Sequence, residues 1–137
     1  MEILTTITAL LSVAELFLSL KDRICKKSNK DQLSVWLAET ADLIESVAHD
    51  LADRLYPHDK CTQMQFYLHN FYDIIKDDLQ EDQAKKVLMD IEDAYKVERL
   101  LGELNNLDDV ERGKNLNKMF EIAGRFRGLS EYLKFTK

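Results

Sequence analysis

Three histidines, two cysteines and a large set of carboxylates are the side chains of this 137-residue chain that could carry acid–base, nucleophilic or metal chemistry. Glu45, His49 and Asp53 stand at successive four-residue steps, so a helix would bring all three to one face, where a histidine between carboxylates can bind metal or move a proton. The same helix carries Ile44, Val47, Leu51 and Leu55 on its apolar side, which turns the polar stripe outward and makes a solvated face the simpler reading. A bundle di-metal centre needs Glu-x-x-His elements on two helices, and the sequence contains none. His69 and Asp73 form a second four-residue pair among Phe66, Tyr67, Phe71 and Tyr72, as expected of a half-buried histidine satisfied by a carboxylate. His58, Asp59 and Cys61 follow Pro57, where turn chemistry accounts for them. No Ser or Cys adjoins a His in a nucleophile motif, and no glycine-rich phosphate cradle occurs. The aromatic group around Phe66 reads as core rather than as a base-stacking platform. No catalytic residue, metal or cofactor is expected.

Small helical ribonucleases of the HEPN type carry an Arg and a His with four to six residues between them. The nearest arrangement here, Arg54 and His58, has three intervening residues and straddles Pro57. A HEPN-like nuclease or a metal-dependent hydrolase is therefore the second alternative to a non-enzymatic role.

The elements that would position these residues are helices. One proline and four glycines are too few breakers for a sandwich or barrel, which needs a turn every 8–12 residues. Residues 2–27 read as a first helix with Ile3, Ile7, Leu10, Leu11, Ala14, Phe17 and Leu18 on one broad face. Leu4, Val13, Leu16 and Leu20 widen that face until the helix is apolar almost all round, which suits a central core helix, an interface or lipid. It resembles a signal peptide or a membrane span. Glu2 in place of leading positive charge argues against the first, and Glu15 with several hydroxyl residues argues against the second.

After turn and cap chemistry at Ser28 to Asp31, a second helix runs along Leu33, Leu37, Thr40, Ile44, Val47, Leu51 and Leu55 and stops near Leu55, ahead of Pro57. A third follows Met64, Leu68, Phe71, Ile75 and Leu79, and a fourth follows Val87, Leu88, Ile91, Ala94, Tyr95 and Leu104. Asp78 and Glu81 offer a capping box between them, while one continuous helix over 61–104 remains the alternative. Asn105 to Gly113 reads as a loop, and the last helix carries Leu116, Met119, Phe120, Ala123, Phe126, Leu129 and Leu133. Gly124 and Gly128 in that helix would let a neighbour approach closely. The expectation is an all-α, up-and-down bundle of four to five helices in one domain, residues 1–137.

Charge is unevenly spread within the net −6: residues 1–20 carry −2, 21–30 carry +4, 31–111 carry −13 and 112–137 carry +5. Lys21, Arg23, Lys26, Lys27 and Lys30 follow the first apolar segment, and Arg125, Arg127 and Lys134 lie in the last helix. Alternating helices would bring these two clusters to one pole as a basic patch. The acidic middle argues against nucleic acid as a partner. Two widely spaced cysteines make neither a zinc set nor a disulfide framework, which points to the cytoplasm.

A non-enzymatic protein-interaction or adaptor module is the leading expectation, self-associating through the apolar first helix or meeting a protein partner. The alternative is peripheral binding to an anionic membrane through that helix and its basic flank, Lys21, Arg23, Lys26 and Lys27. In this arrangement, over roughly residues 1–104, the chain resembles HeLo-type four-helix domains and the killer domain of mixed-lineage-kinase-like proteins. That resemblance implies oligomerisation and membrane perturbation through the N-terminal helix.

Overall fold

The computed structural model describes residues 11–16, 18, 19, 30–55, 57–76, 80–94, 104 and 106–135. Their regular structure is helical, with no strand among the described residues, and the chain is an all-α bundle of four to five helices. The principal elements are α1 (Lys30–Ala52), α2 (His58–Ile75), α3 (Glu81–Ala94) and α4 (Asp109–Phe135). Residues 11–16, 18 and 19 are helical as well.

α1 forms where the apolar spacing predicts it, and Leu33, Leu37, Thr40, Ile44, Val47 and Leu51 are all fully buried, with Trp36, Ala41 and Ala48 beside them. Its end differs from the expectation. Helical geometry stops at Ala52, and Arg54 takes a left-handed conformation at φ 60°. The Leu55 amide then donates to the Asp50 carbonyl at 2.8 Å and the Arg54 amide to the Leu51 carbonyl at 3.2 Å. This pair of bonds closes a helix in a Schellman motif, normally around a glycine. Leu55 is thereby carried off the apolar face into solvent, and the expectation that it continues the core is corrected. Asp53 lies in the same turn, outside α1.

The chain re-enters helix at His58, with the buried Pro57 as its N-cap residue and the Cys61 amide donating to the Pro57 carbonyl at 3.0 Å. α2 and α3 are separate, which excludes the single continuous helix over 61–104. The break is closed by Gln83, whose Oε1 accepts the Gln80 amide at 3.2 Å, half of a capping box three residues apart. Asp78, expected to cap there, lies outside the described residues.

α4 begins earlier than the expected loop allows. Asp108 caps it, its Oδ1 accepting the Glu111 amide at 2.8 Å, so residues 109–113 are helix and not loop. A free donor at the third helical position is satisfied by an Asx side chain, which outweighs the intrinsic turn preference of the Asn/Asp/Gly run.

α1 and α4 make the most extensive contact, and they run antiparallel. Ser34, near the start of α1, and Ser130, near the end of α4, each donate a hydroxyl to the other's backbone carbonyl, at 2.8 and 2.7 Å. At the opposite end the Arg112 guanidinium donates to the Leu51 carbonyl. α2 lies antiparallel along another side of α1: the Trp36 indole stacks on Phe71 at 4.9 Å and donates to the Tyr67 carbonyl at 2.8 Å, while Lys60 meets Asp50 at 2.7 Å. Buried residues of α1, α2 and α4, with Val13, Ala14 and Leu104, form one hydrophobic cluster around Trp36, Phe71 and Phe126. At about 25 cal/mol per Å² of apolar area, burial of this kind is the main favourable contribution to folding.

Candidate functional site

The stripe that could have done metal or proton chemistry is divided among other tasks. Arg127 of α4 forks across to α1, meeting Asp42 Oδ1 at 2.7 Å and the Glu45 carboxylate, which are three residues apart on one helical edge. Those two carboxylates, Asp42 first, hold the Arg127 guanidinium above its ordinary range. His49 sets its ring edge-on to Phe120 of α4, 4.9 Å between centroids at 66°. Asp53 has left the helix, so the three residues do not share a helical face as the spacing suggested. Asp42, Glu45, Ser46, His49, Asp50 and Arg127 line a shallow polar groove of about 300 Å³. Among the described residues no group of three or more His, Cys, Asp or Glu is arranged to hold a metal ion.

The other candidate residues lie on α2 and in the turn before it. Asp73 is exposed and meets Lys76 at 3.8 Å, while His69 is half-buried. His58 is the first residue of α2, where its carbonyl accepts the Thr62 hydroxyl at 3.3 Å, and Arg54 sits in the left-handed turn 3.8 Å from the exposed Asp109. Cys61 is half-buried against the core. Phe66, expected in the core, stands 72% exposed. Two residues on from the buried Met64, it is rotated roughly 200° away from the core face.

Of the first-helix face, Ala14 is fully buried, Leu11 packs partly buried against the cluster, and Leu18 is 41% exposed. Ile3, Ile7, Leu10 and Phe17 lie outside the described residues, as do Lys21, Arg23, Lys26 and Lys27 of the basic patch. The remaining basic residues have near neighbours: Arg127 as above, Arg125 with Glu121 at 3.3 Å on the surface, and Lys134 with its ammonium 5.7 Å from the Phe135 ring centroid. Lys30 opens α1, and Lys134 lines a recess with Asp31, Val35 and Ser130 at that same end of the bundle. Among the described residues no helix is long and apolar enough to cross a membrane.

One surface stands out by what it exposes. α4 buries Leu116, Met119, Ile122, Ala123, Phe126, Leu129 and Leu133, together with Arg112, Asn115 and Ser130, at alternating steps of three and four. The complementary stripe, Glu121, Gly124, Arg125, Gly128, Glu131, Tyr132 and Phe135, faces away from α1. It includes two large aromatic side chains, Tyr132 at 37% and Phe135 at 73% exposure. Leu18, Arg125, Gly128, Leu129 and Tyr132 enclose a notch of about 280 Å³ beside it. A Cβ built on Gly124 or on Gly128 would meet nothing within 4 Å, so neither glycine is there to admit a neighbouring helix of the described bundle. The sequence marks both glycines as points where a neighbour could approach closely, and their offset of about half a turn from Phe126 is the signal that places them on the outer side.

Compared with known proteins, the chain matches no family model, and neither a curated protein nor a solved structure shows significant similarity to it.

Proposed function

We propose that this chain is a non-catalytic protein-interaction module that self-associates. The observation that carries the reading is the outer stripe of α4, where Tyr132 and the neighbouring Leu18 expose apolar surface around an open notch and Phe135 stands exposed about one turn further along. Isolated exposed apolar residues are ordinary on a protein surface, whereas a contiguous group beside a concavity marks a place for a partner. The engagement of Glu45 by Arg127 and of the His49 ring by Phe120 supports the same reading, because the side chains best suited to chemistry serve packing between α1 and α4.

Sedimentation velocity over a wide range of protein concentration tests it, alongside co-sedimentation with anionic vesicles of phosphatidylserine and phosphatidylcholine. The expected result is a concentration-dependent rise in mass above the monomer and no enrichment with vesicles. A strict monomer at every concentration would overturn self-association, and vesicle binding lost on replacing Lys26 and Lys27 would favour the membrane role instead.

A further inference from the structure

We infer that the second copy docks on the outer face of α4, helix against antiparallel helix, with the two-fold axis passing at Gly128. The inference rests on the self-association proposed above and assigns it to a surface other than the first helix. In a two-fold pairing the same patch must complement itself, so each residue meets the one an equal number of steps on the other side of the axis.

For an axis at Gly128 the pattern closes. Arg125 of one copy faces Glu131 of the other, so two opposite-charge pairs form by symmetry, one on each side of the axis. Gly124 faces Tyr132, so each aromatic ring lies over a position where a Cβ has open space within 4 Å. Phe135 faces Glu121 and lies along the aliphatic part of that side chain at the rim. Gly128 meets its own copy at the closest point of approach. Arg125 is available for this exchange, since its partner Glu121, at 3.3 Å, is a half-exposed surface contact. Lys118 also holds Glu121, 3.2 Å away, and is the first cause of its carboxyl lying below the usual range, so Glu121 stays paired when Arg125 turns to the other copy. Surface pairs of this kind contribute little and rearrange readily.

The glycines supply the second line of argument. Each costs roughly 1 kcal/mol of helix stability relative to alanine, neither adopts a positive φ, and a Cβ added at either would meet nothing within 4 Å. Close approach of a second backbone gives both of them a use. The stripe from Glu121 to Phe135 is about 21 Å long at 1.5 Å per residue, a contact at the small end of specific interfaces. The dimer should accordingly dissociate in a micromolar range.

The test is the dissociation constant of the full chain by sedimentation, with helical content and thermal unfolding recorded for every variant. Gly128→Leu keeps the monomer folded, since the new side chain enters open space, and weakens the dimer tenfold or more. Arg125→Glu and Glu131→Arg each weaken it to a similar degree by placing like charges opposite one another, and the double reversal restores it to within about threefold. Should Gly128→Leu lower stability, the charge-reversal set decides by itself. A dimer of unchanged strength in Gly128→Leu and in both single reversals would overturn this docking surface while leaving self-association standing. Single reversals that weaken the dimer without rescue in the double variant would overturn the antiparallel register.

Discussion

Arg54 shows how one residue can decide where a helix ends without any trace in hydropathy. Its left-handed backbone at φ 60° is costly for a side chain bearing a Cβ, by about 1–2 kcal/mol. The two Schellman bonds to Asp50 and Leu51 hold it there. Its own side chain makes only a long, exposed contact with Asp109, and its charge lies near Arg112. Burial first, and the proximity of Arg54 second, hold the Arg112 guanidinium below its ordinary range. Arg54→Gly is therefore expected to stabilise the fold by about 1 kcal/mol, read as a higher urea midpoint at an unchanged slope. A lower midpoint would mean that the arginine side chain matters more than its backbone.

Tyr67 offers a residue-scale test against pH. Its hydroxyl donates to Glu39 Oε2 at 2.9 Å, and this bond, followed by partial burial, raises the phenol above its ordinary 10.0. A group whose folded value is raised contributes stability that is intact below the unfolded value and is lost as pH climbs through the folded one. Tyr67 should thus ionise late in an ultraviolet titration. Tyr67→Phe should remove that late step, and Glu39→Gln should move it toward 10; a late step that survives both would place it on another tyrosine.

At the scale of elements, α1 is legible because its buried positions are aliphatic, aromatic or alanine with one serine and one threonine, so the steps of three and four stand out. α4 is less so. Arg112, Asn115 and Ser130 occupy buried positions on it, which blurs the contrast between faces, although each donates to a specific partner: Leu51 carbonyl, Glu111 carbonyl and Ser34. Its start was misplaced because Asn106, Asp108, Asp109 and Gly113 read as turn residues, and only the Asp108–Glu111 spacing reveals a cap. The candidate metal stripe failed for a related reason: periodicity placed Asp53 on a helix that a left-handed residue ends one position earlier. Asp108→Ala should cost about 1 kcal/mol of stability and fray the first turn of α4, measured by thermal melting and by faster amide exchange at Val110 and Glu111. Unchanged exchange there would show that α4 is held by packing and not by its cap.

For the whole molecule, the decisive geometry is the antiparallel pairing of α1 with α4. The serine clasp at one end, the Arg127 fork in the middle and Arg112 at the other end fix both register and rotation. Fixing the rotation of α4 is what leaves Gly124, Gly128, Tyr132 and Phe135 outward. The bundle class follows from composition and spacing alone, but this rotation does not, since it depends on which polar groups cross between helices far apart in sequence.

Cross-linking tests that geometry and its functional consequence together. In the full chain with Cys25→Ser and Cys61→Ser, Gly128→Cys places one thiol on each side of the proposed two-fold axis, and mild oxidation is expected to give a covalent dimer rapidly at micromolar concentration. Asp82→Cys, on the exposed start of α3, serves as the control and is expected to remain monomeric under the same conditions. Equal, slow cross-linking at both positions, or none at either, would contradict the account.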